Sequence, residues 1–322
     1  MPAGDDLLFG IGAPQIHTRL PLDLEEIRRS IERAESLGFH SLWVQEQAPL
    51  RAAAGALEGI SMLSYAAAIT QRILLGNAVF LINLRNPIHL AKSLASLDQL
   101  SRGRLIVGVG LGGVTRLYQA YGLSAEHKVG RFVEALTLMK RLWTEENLDF
   151  EGKFWRLKKA SLWPKPFQRP HPPIWFGANT APALKRAVAH GSGFIGAGSA
   201  STADFKTNVQ ALGEALAEAK RDPATFMIGK RVYVAIDKDR AVAARRLREW
   251  FGLYYGQADL AERVSVWGSA EECAGGLRDI AAAGARLLVL NPVFGLLEQM
   301  EILASEVIPR VKDESGRMKT EG

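Results

Sequence analysis

A chain of 322 residues with 48% hydrophobic content can bury one large α/β core or two ordinary ones. Its 40 basic residues face 34 acidic ones with the signs interspersed, so the net charge of +6 comes from no basic arm; this argues against nucleic-acid binding, while a mild positive field suits a phosphate-bearing cofactor. The single cysteine, Cys273, excludes an intrachain disulfide and a thiolate metal cluster, and with no spanning apolar run and no signal peptide in MPAGDDLLFG the chain reads as soluble and cytoplasmic, without metal or membrane partner.

Leu7 to Gly12 is a short apolar strand ending in glycine, and the loop after it carries Gln15, His17 and Arg19. Asp23 with Glu26 three residues on predicts a capped helix start; Leu24, Ile27, Ile31, Ala34 and Leu37 share one face, and Gly38 ends it. Ser41 to Gln45 is the second strand, with Glu46 and Gln47 at its end. A helix over 57–70 precedes a third strand, Arg72 to Phe80, whose continuation is polar up to Asn83, Arg85 and Asn86. Pro87 opens the next helix, and the fourth strand enters the glycine-dense end Gly108, Gly110, Gly112 and Gly113. Helix 127–143 follows. Ile174 to Gly177, Gly193 to Gly198, Phe226 to Ile236 and Leu287 to Leu290 complete eight strands, with Ser269 and Glu272 forming a capping box before the last of them.

Short apolar strands alternating with helices predict a closed (β/α)8 TIM barrel over residues 1–312, with an insertion around residues 114–173 and a charged tail at 313–322. Two doubly wound domains are the alternative, and no proline- or serine-rich linker divides the chain. Asn147 to Pro173 is too long for an ordinary connection. It is expected to lie across or beside the barrel mouth as a partial lid.

In such a barrel the carboxyl ends of the strands form the active site. Here they present one carboxylate, few titratable groups and many glycines, without a Ser-His-Asp arrangement, paired carboxylates or a histidine cluster. That suits a cofactor that brings its own reactivity. Gly110, Gly112, Gly113 and Gly177 would let a flat ligand approach backbone. Ala178 and Asn179, entering a helix with Pro182 in its first turn, form a natural phosphate seat, with Gly198 as a second wall. Asn83 is a further cofactor contact, and Glu46, Gln47 and His17 are the candidate catalytic groups. Each has a plainer reading: Glu46 as a loop cap, Gly112 and Gly113 as turn residues, Asn179 as a helix start without ligand.

Three stretches, LGFHSLWVQEQ (37–47), SLASLDQLSRGRLIVGVGLGG (93–113) and LWTEENLDFEGKFWRLKKASLWPKPFQRPHPPIWFGA (142–178), resemble the bacterial luciferase-like monooxygenase family, and the resemblance resumes at 266–292. It implies a (β/α)8 barrel, dimeric in its homo-oligomer form, that binds a flavin or the deazaflavin coenzyme F420 in the mouth. The phosphate would be held after strand five. A non-prolyl cis peptide in strand three would lie behind the ring, here at Ala78-Val79. Many members of the deazaflavin branch carry histidine after the strand-two acid, and some of its dehydrogenases carry glutamate after the strand-four glycines; this chain has Gln47 and Gly113. The expectation is therefore a two-component FMN monooxygenase that oxidises a small organic substrate with oxygen and reduced FMN from a separate flavin reductase. An F420-dependent oxidoreductase is the alternative, and a non-enzymatic flavin-binding protein the third reading.

Overall fold

A computed structural model describes residues 7–17, 20–46, 55–112 and 115–313. Eight parallel strands form the barrel wall: β1 (Leu8–Gly12), β2 (Ser41–Val44), β3 (Leu74–Asn77), β4 (Leu105–Gly110), β5 (Ile174–Phe176), β6 (Gly193–Gly196), β7 (Met227–Ile236) and β8 (Leu287–Pro292). Each pairs with the next in chain order, and β8 returns to β1 with Leu8 opposite Leu287, so the wall has no free edge. The expected (β/α)8 architecture is what the chain adopts.

The helices lie where the signals place them. Asp23 accepts from the Glu26 amide at 2.9 Å at the start of α1 (Leu24–Ser36), and Gly38 turns the chain at φ +80°. Next comes α2 (Gly59–Ile69), capped by Glu58. Asn86 caps α3 (Pro87–Leu100), whose first residue is a proline without a donor to waste. Around the rest of the wall run α4 (Lys128–Thr144), α5 (Ala181–His190), α6 (Thr202–Glu218), α7 (Arg240–Tyr255) and α8 (Ala270–Ala282). Ser269 and Glu272 form the expected capping box on α8, and Ser201 with Asp204 forms another on α6. No helix among the described residues is long and apolar enough to cross a membrane.

Inside the wall, Trp43 of β2 and Trp175 of β5 meet with ring centroids 5.3 Å apart, packed with Ile106, Ile195, Leu287 and Val289. Gly76 and Gly193 make room for them: a Cβ would lie 2.6 Å from the Trp43 ring at one and 2.8 Å from Trp175 at the other. The lumen is thus a packed core rather than a channel.

The insertion does not cross the mouth, although the tip of its hairpin, at Phe154, reaches Gly130 and Arg131 near the mouth-side start of α4. Leu148–Glu151 and Arg156–Ala160 make an antiparallel hairpin on the outer flank of α4, where the Glu134 carboxylate accepts the amides of Lys153, Phe154 and Trp155 at 2.9–3.0 Å. The return segment passes under the amino-terminal face. Gln168 donates to Asp98 near the end of α3 and to the Leu105 carbonyl at the start of β4, both at 2.8 Å. The reason is directional. Barrel helices run antiparallel to the strands, so α4 ends, and β5 begins, on the face opposite the mouth.

Candidate cofactor and substrate site

Strand β3 stops at Asn77, and the next peptide bond, Ala78-Val79, is cis without a proline. The chain rejoins the wall at Phe80–Leu81, opposite Val109 and Gly110. Asn77 replaces the ladder bonds lost to this bulge: its Nδ2 donates to the Gly108 carbonyl at 2.7 Å, and its Oδ1 accepts the Gly108 amide at 2.9 Å. The bulge leans on glycine. A Cβ at Gly108 would stand 1.9 Å from the Asn77 carbonyl oxygen, and one at Gly110 would stand 2.5 Å from Val79 Cγ2. At Gly177 it would lie 3.1 Å from Val79. The space missing side chains leave at Gly110 and Gly177 is therefore taken by Val79, which corrects the expectation that these glycines stand open to a ring. Gly112 turns at φ +72° against Leu81, in keeping with its reading as a turn residue. Gly113 lies outside the described residues.

Glu46 fastens the far side of the bulge. One carboxylate oxygen accepts the Leu81 amide at 2.7 Å, and the other accepts Arg85 Nη2 at 2.6 Å; the side chain is 12% exposed. Arg85 also reaches Glu58 at 2.9 Å. Burial works against the Glu58 carboxylate, but the Ser61 and Ile60 amides and Arg85 hold it below the usual carboxylate range. The structure thus gives Glu46 the duty of a loop cap. Gln47 lies outside the described residues. His17 sits in a short antiparallel pairing with Gly55, its Nε2 3.1 Å from the Pro14 carbonyl.

Asn83 is buried and donates to Tyr118 Oη at 3.1 Å and the Lys128 carbonyl at 2.8 Å, tying the turn after the bulge to the start of α4. Its Oδ1 has no partner among the described residues. Beyond β5, Ala178 is half-buried and Asn179 exposed, and Thr180 starts α5 without a side-chain cap, although Pro182 carries no amide hydrogen and the Ala183 amide already donates to the Thr180 carbonyl at 2.9 Å. Gly198 lies against Tyr233, where a Cβ would come within 2.7 Å of the ring. The Gly198 loop is held from below by buried Lys230, whose Nζ donates to the carbonyls of Ala197 at 2.6 Å and Ala200 at 2.8 Å. Burial lowers the Lys230 ammonium to about 7.

The residue that sequence reasoning missed is Arg231. It follows Lys230 on β7, and alternation turns it inward. Its guanidinium reaches across the barrel, with Nη2 2.5 Å from Gln45 Oε1 and 3.2 Å from Tyr233 Oη, and Nη1 3.4 Å from the Ala78 carbonyl of the cis peptide. The polar chain extends both ways. Gln15 accepts the Gln45 amide at 2.8 Å and donates to the Gln45 and Leu57 carbonyls, while Tyr233 Oη lies 2.8 Å from Tyr255 Oη. Burial pushes the Tyr255 phenol well above its ordinary range, so it keeps its proton. The signal available was two adjacent cations in KRVYV, a run otherwise apolar enough to be buried on both faces.

Two features therefore share the mouth. The cis bulge and the uncapped α5 start occupy the side of β3, β4 and β5. A cleft of about 210 Å³, with Arg231, Gln45, Trp250 and Phe294 among its lining residues, opens at the ends of β1, β2, β7 and β8. Among the described residues no group of three His, Cys, Asp or Glu side chains stands together to hold a metal.

Known proteins align with this arrangement. The model of the luciferase-like monooxygenases matches residues 7–287. An F420-dependent glucose-6-phosphate dehydrogenase of Intrasporangium calvum is 31% identical over 68% of this chain and 67% of its own length. An uncharacterized protein of Mycobacterium bovis is 42% identical over 36% of this chain, and that match spans only 41% of it. Monooxygenase RslO1 from Streptomyces bottropensis superposes with a TM-score of 0.80 at 25% identity, covering 94% of this chain and 99% of that one. An F420-dependent secondary alcohol dehydrogenase shares the fold, with a TM-score of 0.82 at 23% identity over 95% of this chain and 99% of its own. A family match running from the first strand into the eighth, on a closed (β/α)8 barrel, places this chain among the luciferase-like monooxygenases.

Proposed function

We propose that the chain is an oxidoreductase that holds the ring of coenzyme F420 against the Ala78-Val79 bulge and acts on a small organic substrate in the neighbouring cleft. The observation that carries this reading is the bulge at the barrel mouth, where Val79 packs over the glycines of β4 and β5 and Asn77 and Glu46 brace the chain on either side. The residues present fit such a group. Val79 and Ala78 offer an apolar face, the uncapped start of α5 beside Ala178, Asn179 and Gly198 suits a phosphate, and the unpartnered Asn83 Oδ1 is an acceptor. A bound deazaflavin supplies hydride chemistry. The chain's part is to seat the ring, exclude water and manage a proton. With Glu46 committed to Arg85 and Leu81, the Tyr233–Tyr255 hydroxyl pair is the line of exchangeable protons reaching the cleft.

Support for F420 over the expected FMN comes from the dehydrogenase relatives at 31% identity. The FMN monooxygenase reading stands second on the likeness to RslO1 and would add oxygen and a separate flavin reductase. Titration of the purified protein with F420 and FMN decides between them. The expected result is F420 binding tighter by about ten-fold or more, and reduced cofactor that is stable in air. Tighter FMN binding with oxygen consumed on substrate addition would install the second reading, and binding of neither would remove both.

A further inference from the structure

We infer that the cleft over Arg231 binds a substrate carrying a carboxylate on a compact apolar body, with the Arg231 guanidinium as its anchor. This deepens the oxidoreductase reading by naming the substrate class of the same site. Arg231 stays charged at every pH the fold would meet. Yet its three protein partners, Gln45 Oε1, Tyr233 Oη and the Ala78 carbonyl, are all neutral. Among the described residues lining the cleft, Arg231 is the one charged group, so no carboxylate of the chain compensates it there. A half-buried cation that opens into a cleft and has only neutral partners there is a ready seat for a ligand that brings the opposite charge.

The geometry also leaves the guanidinium unsaturated. It has five N–H donors in a flat fork. Three bonds are made, one of them long at 3.4 Å, leaving Nε–H and one hydrogen of Nη1 without protein partners among the described residues. These two stand on different edges of the fork, so each offers a single charge-assisted bond to a carboxylate oxygen. Above it the walls turn apolar. Trp250, Phe294, Ile16, Val293 and Leu296 line the opening, which suits an aliphatic or aromatic body and disfavours a sugar. Arg231 also touches the Ala78 carbonyl at the bulge, so an anchored carboxylate would set its neighbouring carbon near the face proposed for the ring.

The test uses benzoate as the carboxylate probe and benzamide as its neutral counterpart, with binding to the purified full chain measured by calorimetry. Benzoate should bind about ten-fold more tightly than benzamide, with and without saturating F420. Arg231→Met should level the two, and Arg231→Lys should restore part of the preference. Should Arg231→Met fail to fold by circular dichroism, Leu296→Glu at the rim should also weaken benzoate selectively, by like-charge repulsion. Equal binding of the two probes, a preference that survives Arg231→Met, or benzoate expelled by F420 would each overturn the proposal. A benzoate preference in protein that binds neither F420 nor FMN would uphold the anion site while removing the cofactor reading, so the two fail separately.

Discussion

At the level of single residues, the glycine-dense end of strand four was legible in the sequence as a place where backbone comes close to something. What it comes close to was not. The neighbour is Val79, brought there by a peptide geometry that residue types alone do not reveal, although the family resemblance pointed to the step. A sharp expectation follows. Gly110→Ala should destabilise the fold by about 1–3 kcal/mol through overpacking against Val79. Val79→Ala should relieve most of that cost in the double variant, a coupling readable in urea unfolding. Gly108→Ala should not be relieved, because the obstruction there is the Asn77 carbonyl rather than a side chain. Equal behaviour of the two glycine variants in the Val79→Ala background would contradict this account. Glu46 teaches the same lesson: its place at a strand end was readable, but its commitment to Arg85 and the Leu81 amide depends on contacts 35 and 39 residues away.

Among elements, β7 carries the most information that the sequence concealed. Alternation in a wall buried on both faces sends Lys230 outward beneath the Gly198 loop and Arg231 inward to the mouth, whereas on a linear reading the two look like a surface pair. Lys230 has a pH signature. The unfolded lysine holds its proton to about 10.5, while burial lets the native one shed it near 7. Between those values the unfolded state binds more protons, so stability rises with pH across that window, and below about 7 the gain is absent. Lys230→Met should remove this slope, seen as a smaller rise in urea midpoint from pH 7 to 10 than in the parent protein. Identical slopes would show that the buried ammonium does not titrate there. The start of α5 offers another check. If its uncapped first turn seats a phosphate, FMN should bind more tightly than riboflavin, and Asn179→Asp should erase most of the difference by placing a like charge beside the phosphate. Equal binding of FMN and riboflavin would place the phosphate elsewhere. The insertion shows where element-level reading fell short: its length and aromatic content were plain, but its position followed from chain direction, which puts both ends of 147–173 on the face away from the mouth.

For the molecule as a whole, the barrel was legible because its alternation of apolar strands and capped helices spans the entire chain, and local signals agree with the global arrangement. The polar chain across the mouth was not, because it joins residues 15, 45, 231, 233 and 255, which no local window contains. The tryptophan pair in the lumen has a consequence of another kind. Trp43 and Trp175 belong to β2 and β5, which have two strands between them around the wall, so the indoles touch only because the cylinder is shut. At 5.3 Å and an interplanar angle of 36° the two chromophores are placed for exciton coupling. Their circular dichroism couplet should vanish whole in Trp43→Phe and equally in Trp175→Phe. During unfolding it should disappear as soon as the wall opens, even while helical ellipticity persists. The chain thus carries an intrinsic optical gauge of barrel closure, separate from the helix signal that ordinarily reports its folding.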